Sequence, residues 1–183
     1  MLDTLHVPAD LRSLPASAIA VLLLATAGAV ILAALAFEHI GGYTPCPLCL
    51  QQRYAYYLGI PAIVAALALL RAQRPTAAAA ILLAVGVAFL ANAGLGVYQA
   101  GAEWKFWDPP ATCSAPVDLP AFDLKTMNLD RVPASCGVAS WRFLGLSFAG
   151  WNAVASTALA AGAFAAALKA TGTSGWRGWR RPG

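Results

Sequence analysis

Four long apolar stretches constrain the fold of this chain more than any other feature of its sequence. They cover residues 16–37, about 50–70, 76–100 and 143–168. A helix needs about 20 apolar residues to cross a bilayer, and only helices and closed barrels satisfy their backbone groups there. Because the apolar residues are continuous and do not alternate, barrel strands are a poor fit. We therefore predict an all-α membrane protein, in which residues 1–183 form a single domain, an antiparallel bundle of four transmembrane helices.

The composition excludes several classes of protein. Hydrophobic residues make up 60% of the 183 residues and charged residues only 11%, against about 25% charged residues in a soluble domain. This composition excludes a disordered chain and an ordinary cytosolic enzyme. The net charge of +4 comes from scattered side chains. This charge is too small and too dispersed to form a surface that binds nucleic acid. The first apolar stretch is too long for a cleaved signal peptide, so we expect it to remain as a helix.

The distribution of charge predicts the orientation of the bundle. Short cytoplasmic loops of membrane proteins are enriched in Lys and Arg. The two tails and the turn at 71–75 contain seven of the 12 basic residues, namely Arg12, Arg71, Arg74, Lys169, Arg177, Arg180 and Arg181. The other side contains six of the eight acidic residues. We therefore expect both termini in the cytoplasm and the longer loops, about 38–49 and 101–142, on the outer side.

All four cysteines lie in these two outer loops. Cys46 and Cys49 form a Cys-Pro-Leu-Cys motif, and Cys113 and Cys136 lie in the second loop. Disulfides persist in an oxidising compartment. For Cys113 and Cys136 the pattern supports a structural staple and redox exchange equally. A disulfide there constrains the unfolded chain by about 3 kcal/mol, whereas the Pro and Gly content of the loop favours mobility and exchange.

The close spacing of Cys46 and Cys49 favours redox exchange. A two-residue spacer adds little as a staple, and its usual uses are redox chemistry or metal binding. A zinc site with four cysteines needs a second close pair, which the sequence does not contain. Haem attachment needs a histidine directly after the second cysteine, where the chain has Leu50. We therefore predict a redox pair and no metal site.

The motif lies where the second transmembrane helix should begin. Pro47 suits the first turn of a helix. The free N–H groups and the dipole at a helix N-terminus stabilise an anion, which we expect to be a thiolate at Cys49. Arg53 follows four residues later on the same helix face. A charged residue at the head of a transmembrane helix indicates function, and snorkelling of Arg53 to the headgroups is the alternative.

Together these features resemble the DsbB family of membrane thiol oxidases. The resemblance covers most of the chain and rests on Cys46-Pro-Leu-Cys49-Leu-Gln-Gln-Arg53 at the start of the second span, Ala111-Thr-Cys113, Cys136 and Phe143-Leu-Gly-Leu146. It implies a protein of the bacterial inner membrane with periplasmic cysteine loops. It further implies that electrons pass from a periplasmic thioredoxin-like oxidase of the DsbA type to a membrane quinone, ubiquinone or menaquinone.

The resemblance also implies a role for each candidate site residue. Cys113 is the sulfur that the partner's thiolate attacks, which releases Cys136. Cys136 then attacks Cys46, and Cys49 is left as the thiolate that reduces the quinone. Arg53 polarises a quinone carbonyl and stabilises negative charge on Cys49.

Some points remain open at the level of sequence. Many members of the family have a histidine near the quinone, early in the second loop, where our register places Ala100. The segment 119–131 mixes apolar and charged residues and is predicted either to lie on the membrane as an amphipathic helix or to contact the partner. The four cysteines allow three pairings.

Two other functions compete with the thiol oxidase. One is a structural bundle whose cysteines only staple its loops. The other is a thiol/quinone enzyme that resembles vitamin K epoxide reductase. That group usually has its Cys-x-x-Cys motif toward the end of the bundle, so the position of Cys46 and Cys49 argues against it.

Overall fold

Four helices and one short hairpin make up the described structure. The computed structural model describes residues 14–110, 113 and 136–177, with side chains described up to residue 172. The predicted segment 119–131 therefore lies outside the described residues. The helices are α1 Ala16–His39, α2 Pro47–Arg71, α3 Pro75–Glu103 and α4 Phe148–Arg177. The hairpin pairs β1 Arg142–Phe143 with β2 Leu146–Ser147 just before α4.

The four helices are all long and apolar enough to cross a membrane. In α4 this span is Phe148–Gly172. Large apolar side chains such as Leu32, Leu58 and Leu168 are exposed on the outside of the helices. Such exposure is expected where lipid, rather than water, surrounds the protein. The predicted all-α membrane bundle of four helices is thus confirmed.

Each helix packs mainly against its two neighbours, so that the bundle forms a closed ring. The contacts join α1 to α2, α2 to α3, α3 to α4 and α4 back to α1. Phe89 of α3 is fully buried in the core, where its ring meets Tyr56 and lies against Gly59 of α2. Helices α3 and α4 approach each other closely at Gly96, where a Cβ atom would lie 2.9 Å from the carbonyl oxygen of Ala149.

Two helices extend beyond the predicted spans at the end of the bundle that holds the cysteines. Helix α2 begins at Pro47 rather than near residue 50, because Cys46 occupies the capping position and Pro47 fits the first turn. Helix α3 continues to Glu103 rather than ending at residue 100. Its last turn is buried against the rest of the protein. This packing stabilises three helical residues beyond the end of the apolar pattern.

Helix α4 begins five residues later than its predicted span. The two residues of the hairpin turn, Leu144 and Gly145, have φ angles of 50° and 83°, which suits a tight turn between twisted strands. The hydroxyl of Ser147 then accepts a hydrogen bond from the backbone N–H group of Gly150 at 3.2 Å and caps the helix. The Phe143-Leu-Gly-Leu146 sequence is therefore a hairpin that precedes the helix.

Replacing Gly96 by alanine is expected to lower the free energy of unfolding by about 1–3 kcal/mol. The new Cβ atom would meet backbone atoms of α4, which cannot rotate away as a side chain can. The matched control is Gly94→Ala, because a Cβ atom at Gly94 meets nothing within 4 Å and alanine favours the helix. Denaturation in detergent, followed by circular dichroism, measures both variants. Equal stability of the two variants would contradict the close packing at Gly96.

Candidate active site

The Cys-Pro-Leu-Cys motif forms the N-terminal turn of α2. Cys46 is the capping residue, with an extended backbone, and its Sγ atom accepts a hydrogen bond from the backbone N–H group of Cys49 at 3.1 Å. The two cysteines form a disulfide. The positive end of a helix dipole and unpaired backbone N–H groups stabilise a thiolate at such a position. The motif therefore lies at the start of the helix, as predicted.

The second disulfide joins Cys113 to Cys136 and packs against the first. The two disulfides and Leu48 form one compact cluster. Within this cluster Cys46 and Cys136 are buried, with 3% and 1% of their surface exposed, whereas Cys49 and Cys113 are only partly buried. Each disulfide therefore has one enclosed sulfur and one more accessible sulfur.

Contacts from the end of α3 hold the second disulfide near the first. Lys105 donates a hydrogen bond from Nζ to the carbonyl oxygen of Gly137 at 2.8 Å, next to Cys136. Trp107 folds back along α3, where its ring stacks on Tyr98 and its Nε1 group donates to the Tyr98 carbonyl oxygen at 2.9 Å. These contacts anchor one side of the long loop to the bundle.

A cavity of about 450 Å³ opens beside the Cys46–Cys49 disulfide. It lies among α1, the N-terminal turns of α2, the last turns of α3 and the start of α4. Both cysteines of the first pair line it, whereas those of the second pair do not. Its walls are mostly apolar and include the aromatic side chains of Phe37, Tyr43, Trp141, Phe143, Phe148 and Trp151. An apolar cavity with a few polar groups is typical of a site for a planar organic ligand.

Arg53 lines this cavity and forms an ion pair with Glu38 of α1. The Nη1 group of Arg53 donates to Oε2 of Glu38. The two side chains are 12% and 24% exposed, so both charges are mostly withdrawn from solvent. This partner was not among the predicted site residues, and it links α1 to α2 at the edge of the cavity.

A buried chain of amide side chains reaches the first disulfide from inside the bundle. Gln99 of α3 donates from Nε2 to the Sγ atoms of Cys46 and Cys49, at 3.3 Å to each. Its Oε1 atom accepts a hydrogen bond of 2.7 Å from Nε2 of Gln52. The Oε1 atom of Gln52 in turn accepts one of 2.6 Å from Nδ2 of Asn152 in α4.

Hydroxyl groups deeper in the bundle anchor the far end of this chain. The Oδ1 atom of Asn152 accepts hydrogen bonds from the hydroxyl of Tyr56 at 2.7 Å and from that of Ser156 at 3.4 Å. Asn92 of α3 donates to the hydroxyl oxygen of Ser156 at 2.9 Å. The chain therefore connects three helices in the interior of the bundle.

Glu103 adds a carboxyl group to the same cavity. It is the last residue of α3 and is only 9% exposed. Its Oε1 atom lies 3.5 Å from Nε2 of Gln99, and its Oε2 atom has no hydrogen-bond partner within the described part of the chain. Residue 103 falls within the predicted outer loop 101–142, but the structure places this carboxyl group inside the site.

The structure brings Cys46, Cys49 and Arg53 to one cavity and packs the Cys113–Cys136 pair against it. Sequence reasoning missed Gln52, Gln99 and Glu103. A signal was available for the first two, since both are polar residues within or beside apolar spans. Ala100, at the position of the family histidine, is not among the cavity-lining residues, and the neighbouring Gln99 contacts the sulfurs instead.

A four-helix membrane bundle with a Cys-x-x-Cys disulfide at a helix N-terminus, beside an apolar cavity, defines a membrane thiol–disulfide oxidoreductase. The chain belongs to the DsbB family, because the family model described as disulfide bond formation protein DsbB matches residues 16–166. It is therefore a disulfide-forming oxidoreductase with several membrane spans.

Curated relatives agree with this assignment. The disulfide bond formation protein B of Aromatoleum aromaticum is 35% identical over 136 aligned residues, covering 69% of this chain and 76% of that protein. The protein of the same name from Acidovorax sp. is 34% identical over 143 residues, covering 72% and 78%. No solved structure matched the chain significantly.

Breaking the Arg53–Glu38 ion pair from one side is expected to cost stability. Arg53→Leu and Glu38→Gln should each lower the free energy of unfolding by about 1–3 kcal/mol, because each leaves a mostly buried group without its partner. The double variant should lose less than the sum of the two single losses. Denaturation in detergent measures all four proteins, and strictly additive losses would show that the two side chains are not coupled.

Proposed function

We propose that this protein reoxidises a periplasmic thioredoxin-like oxidase of the DsbA type and passes the electrons to a membrane quinone. The cysteine loops then face the periplasm and both termini face the cytoplasm of a bacterial cell, with the bundle in the inner membrane. The observation that carries the proposal is the packing of two disulfides in one cluster, of which only one pair reaches the apolar cavity.

The burial of the four sulfurs supports the order of thiol exchange. The reduced partner needs an accessible sulfur, and Cys113 is the less buried member of its pair. A partner thiolate attacks Cys113, the Cys113–Cys136 bond breaks, and Cys136 leaves as a thiolate. Cys136 is buried beside Cys46 in the cluster, so its attack on Cys46 needs little movement. That attack breaks the Cys46–Cys49 bond and leaves the thiolate on Cys49.

The second half of the thiol exchange restores the Cys113–Cys136 disulfide. The partner's second thiolate attacks the mixed disulfide and frees Cys113. Cys113 then attacks Cys136 and restores the second pair, which leaves the first pair as a dithiol. The partner has lost two electrons and two protons. The electrons now reside on Cys46 and Cys49, where one proton is retained as a thiol and the other leaves to solvent while Cys49 stays a thiolate. The net exchange at this stage is one disulfide formed in the partner and one reduced in this protein.

The residues of the cavity fit a quinone. A bound quinone accepts two electrons and two protons and becomes a quinol. The aromatic walls suit a planar ring, and the partly buried Cys49 places its sulfur at the cavity surface. Arg53 supplies a positive charge at the edge of the cavity, where it stabilises the Cys49 thiolate and orients an acceptor oxygen. Glu38 holds the guanidinium of Arg53 in position.

Quinone reduction by the purified protein tests the proposal directly. With a reduced thioredoxin-like partner, the wild type should reduce added quinone, seen as a change in quinone absorbance. Cys49→Ser should abolish this activity, because it removes the sulfur that becomes the reducing thiolate and leaves Cys46 without a disulfide partner. Arg53→Ala should lower the rate by about 10- to 100-fold, which corresponds to a loss of about 1.4–2.7 kcal/mol of transition-state stabilisation by the oriented charge. Arg71→Ala, which removes an exposed arginine at the opposite end of α2, is the matched control.

The opposite result would favour the structural bundle. If the folded wild type, with all four cysteines oxidised, reduces no quinone with any thiol donor, the two disulfides act as staples.

The partner's point of attack can be trapped. A reduced partner that retains only its nucleophilic cysteine cannot resolve a mixed disulfide, so the covalent complex should accumulate. Peptide mass spectrometry should locate the bond at Cys113, because Cys136 and Cys46 are 1% and 3% exposed. Cys113→Ser is the control and should form no complex. A bond to Cys46 or Cys136 in the wild type would reverse the proposed order of exchange.

A further inference from the structure

We infer that Gln99 is a catalytic residue of the Cys46–Cys49 pair, whose amide N–H group stabilises the thiolate that appears when this disulfide is reduced. The inference deepens the proposed function and rests on the redox role given there to this pair. It assigns chemistry to a residue that lies outside the Cys-x-x-Cys motif and on a different helix.

The contact itself is direct. Nε2 of Gln99 lies 3.3 Å from the Sγ atoms of both Cys46 and Cys49, and the side chain is 3% exposed. A sulfur in a disulfide is a weak acceptor. A thiolate is charged, and hydrogen bonds to an ionised acceptor are roughly twice as strong as those between neutral groups. The contact therefore gains strength when the pair is reduced, and it favours the reduced state.

The redox step balances without any further group. An external dithiol supplies two electrons and becomes a disulfide, while the Sγ–Sγ bond between Cys46 and Cys49 breaks. The dithiol also releases two protons. One of them is retained as a thiol of the reduced pair and the other leaves to solvent when the second sulfur stays a thiolate. Gln99 binds that thiolate and takes no part in the transfer of electrons.

The hydrogen bonds behind Gln99 determine which end of its amide faces the sulfurs. Two hydroxyl groups donate to Oδ1 of Asn152, which leaves its Nδ2 group to donate to Gln52. The Oε1 atom of Gln52 is thereby used, and its Nε2 group donates to Oε1 of Gln99. Only the N–H end of Gln99 then remains for the sulfurs. Gln52 and Asn152 are positioning residues, since they act through Gln99.

The cost of this arrangement points to a function other than stapling. Polar side chains inside a membrane bundle are expensive, and those that persist usually serve a site. A disulfide that only staples a loop requires no hydrogen-bond donor at its sulfurs. Here the side chains of Gln52, Gln99 and Asn152 connect three helices and end at one redox pair.

The test is the reduction potential of the Cys46–Cys49 pair in quinone-free protein. The full chain carries Cys113→Ala and Cys136→Ala, so that the measured reduced fraction comes only from Cys46 and Cys49. The protein is equilibrated in detergent with glutathione buffers at pH 7, and alkylation followed by mass spectrometry gives the reduced fraction. Gln99→Leu should lower the equilibrium constant for reduction about tenfold, which corresponds to a potential about 30 mV lower.

Three further variants separate the donor from general packing. Gln99→Glu has the same size and still accepts from Gln52, but it places a carboxylate beside the sulfurs and should lower the constant at least as much as Gln99→Leu. Gln52→Leu should lower it by a smaller factor, because Gln99 loses its orientation but keeps its donor. Gln51→Leu changes an exposed neighbour of the same type and should stay within twofold of the wild type.

The inference is overturned if Gln99→Leu and Gln99→Glu both stay within twofold of the wild type. If Gln99→Leu does not fold, the isosteric Gln99→Glu gives the decision. The reduction potential is measured without quinone, so a failure of this inference can be distinguished from a failure of the proposed function. A wild type that reduces quinone while the Gln99 variants keep its potential refutes this inference alone. A wild type that reduces no quinone refutes the proposed function.

Discussion

The absence of water in the bilayer is the constraint on which this structure depends. Every polar group within a membrane span must find its partner in the protein, because lipid tails offer none. The polar side chains of α2, α3 and α4 therefore point at one another, from Asn92 and Tyr56 in the interior to Gln99 at the disulfide. The ring of helices encloses this network, and small residues such as Gly96 let the helices approach closely enough to do so.

The position of the first disulfide follows from the same constraint. A helix start leaves N–H groups without partners in the helix, and it is stable at the edge of a membrane when something accepts from them. In α2 the Sγ atom of Cys46 accepts one of these hydrogen bonds. The disulfide consequently lies between two environments, with the second cysteine pair on one side and the aromatic cavity on the other. Such a position suits a pair that receives electrons on one side and releases them on the other.

Much of this arrangement could be predicted from local patterns. The four spans depend only on continuous apolar runs, and the start of α2 depends on Pro47 and the cysteine spacing, both of which act within a few residues. The start of α4 was predicted wrongly, because Phe143 is apolar and nothing nearby in the sequence signals that Leu144 and Gly145 turn a hairpin. Glu103 was assigned to the outer loop 101–142, because its burial depends on packing against distant segments.

The sequence by itself determined that lipid surrounds this protein, that four helices in the described part of the chain can span a membrane, and that one cysteine pair lies at a helix N-terminus. These are properties of composition and of spacing over one or two helical turns. Only the tertiary structure decided that the two disulfides touch, that Arg53 pairs with Glu38, and that Gln99 donates to the sulfurs. Each of these contacts joins residues on different segments, and their distance depends on how the helices pack, which no short-range pattern encodes.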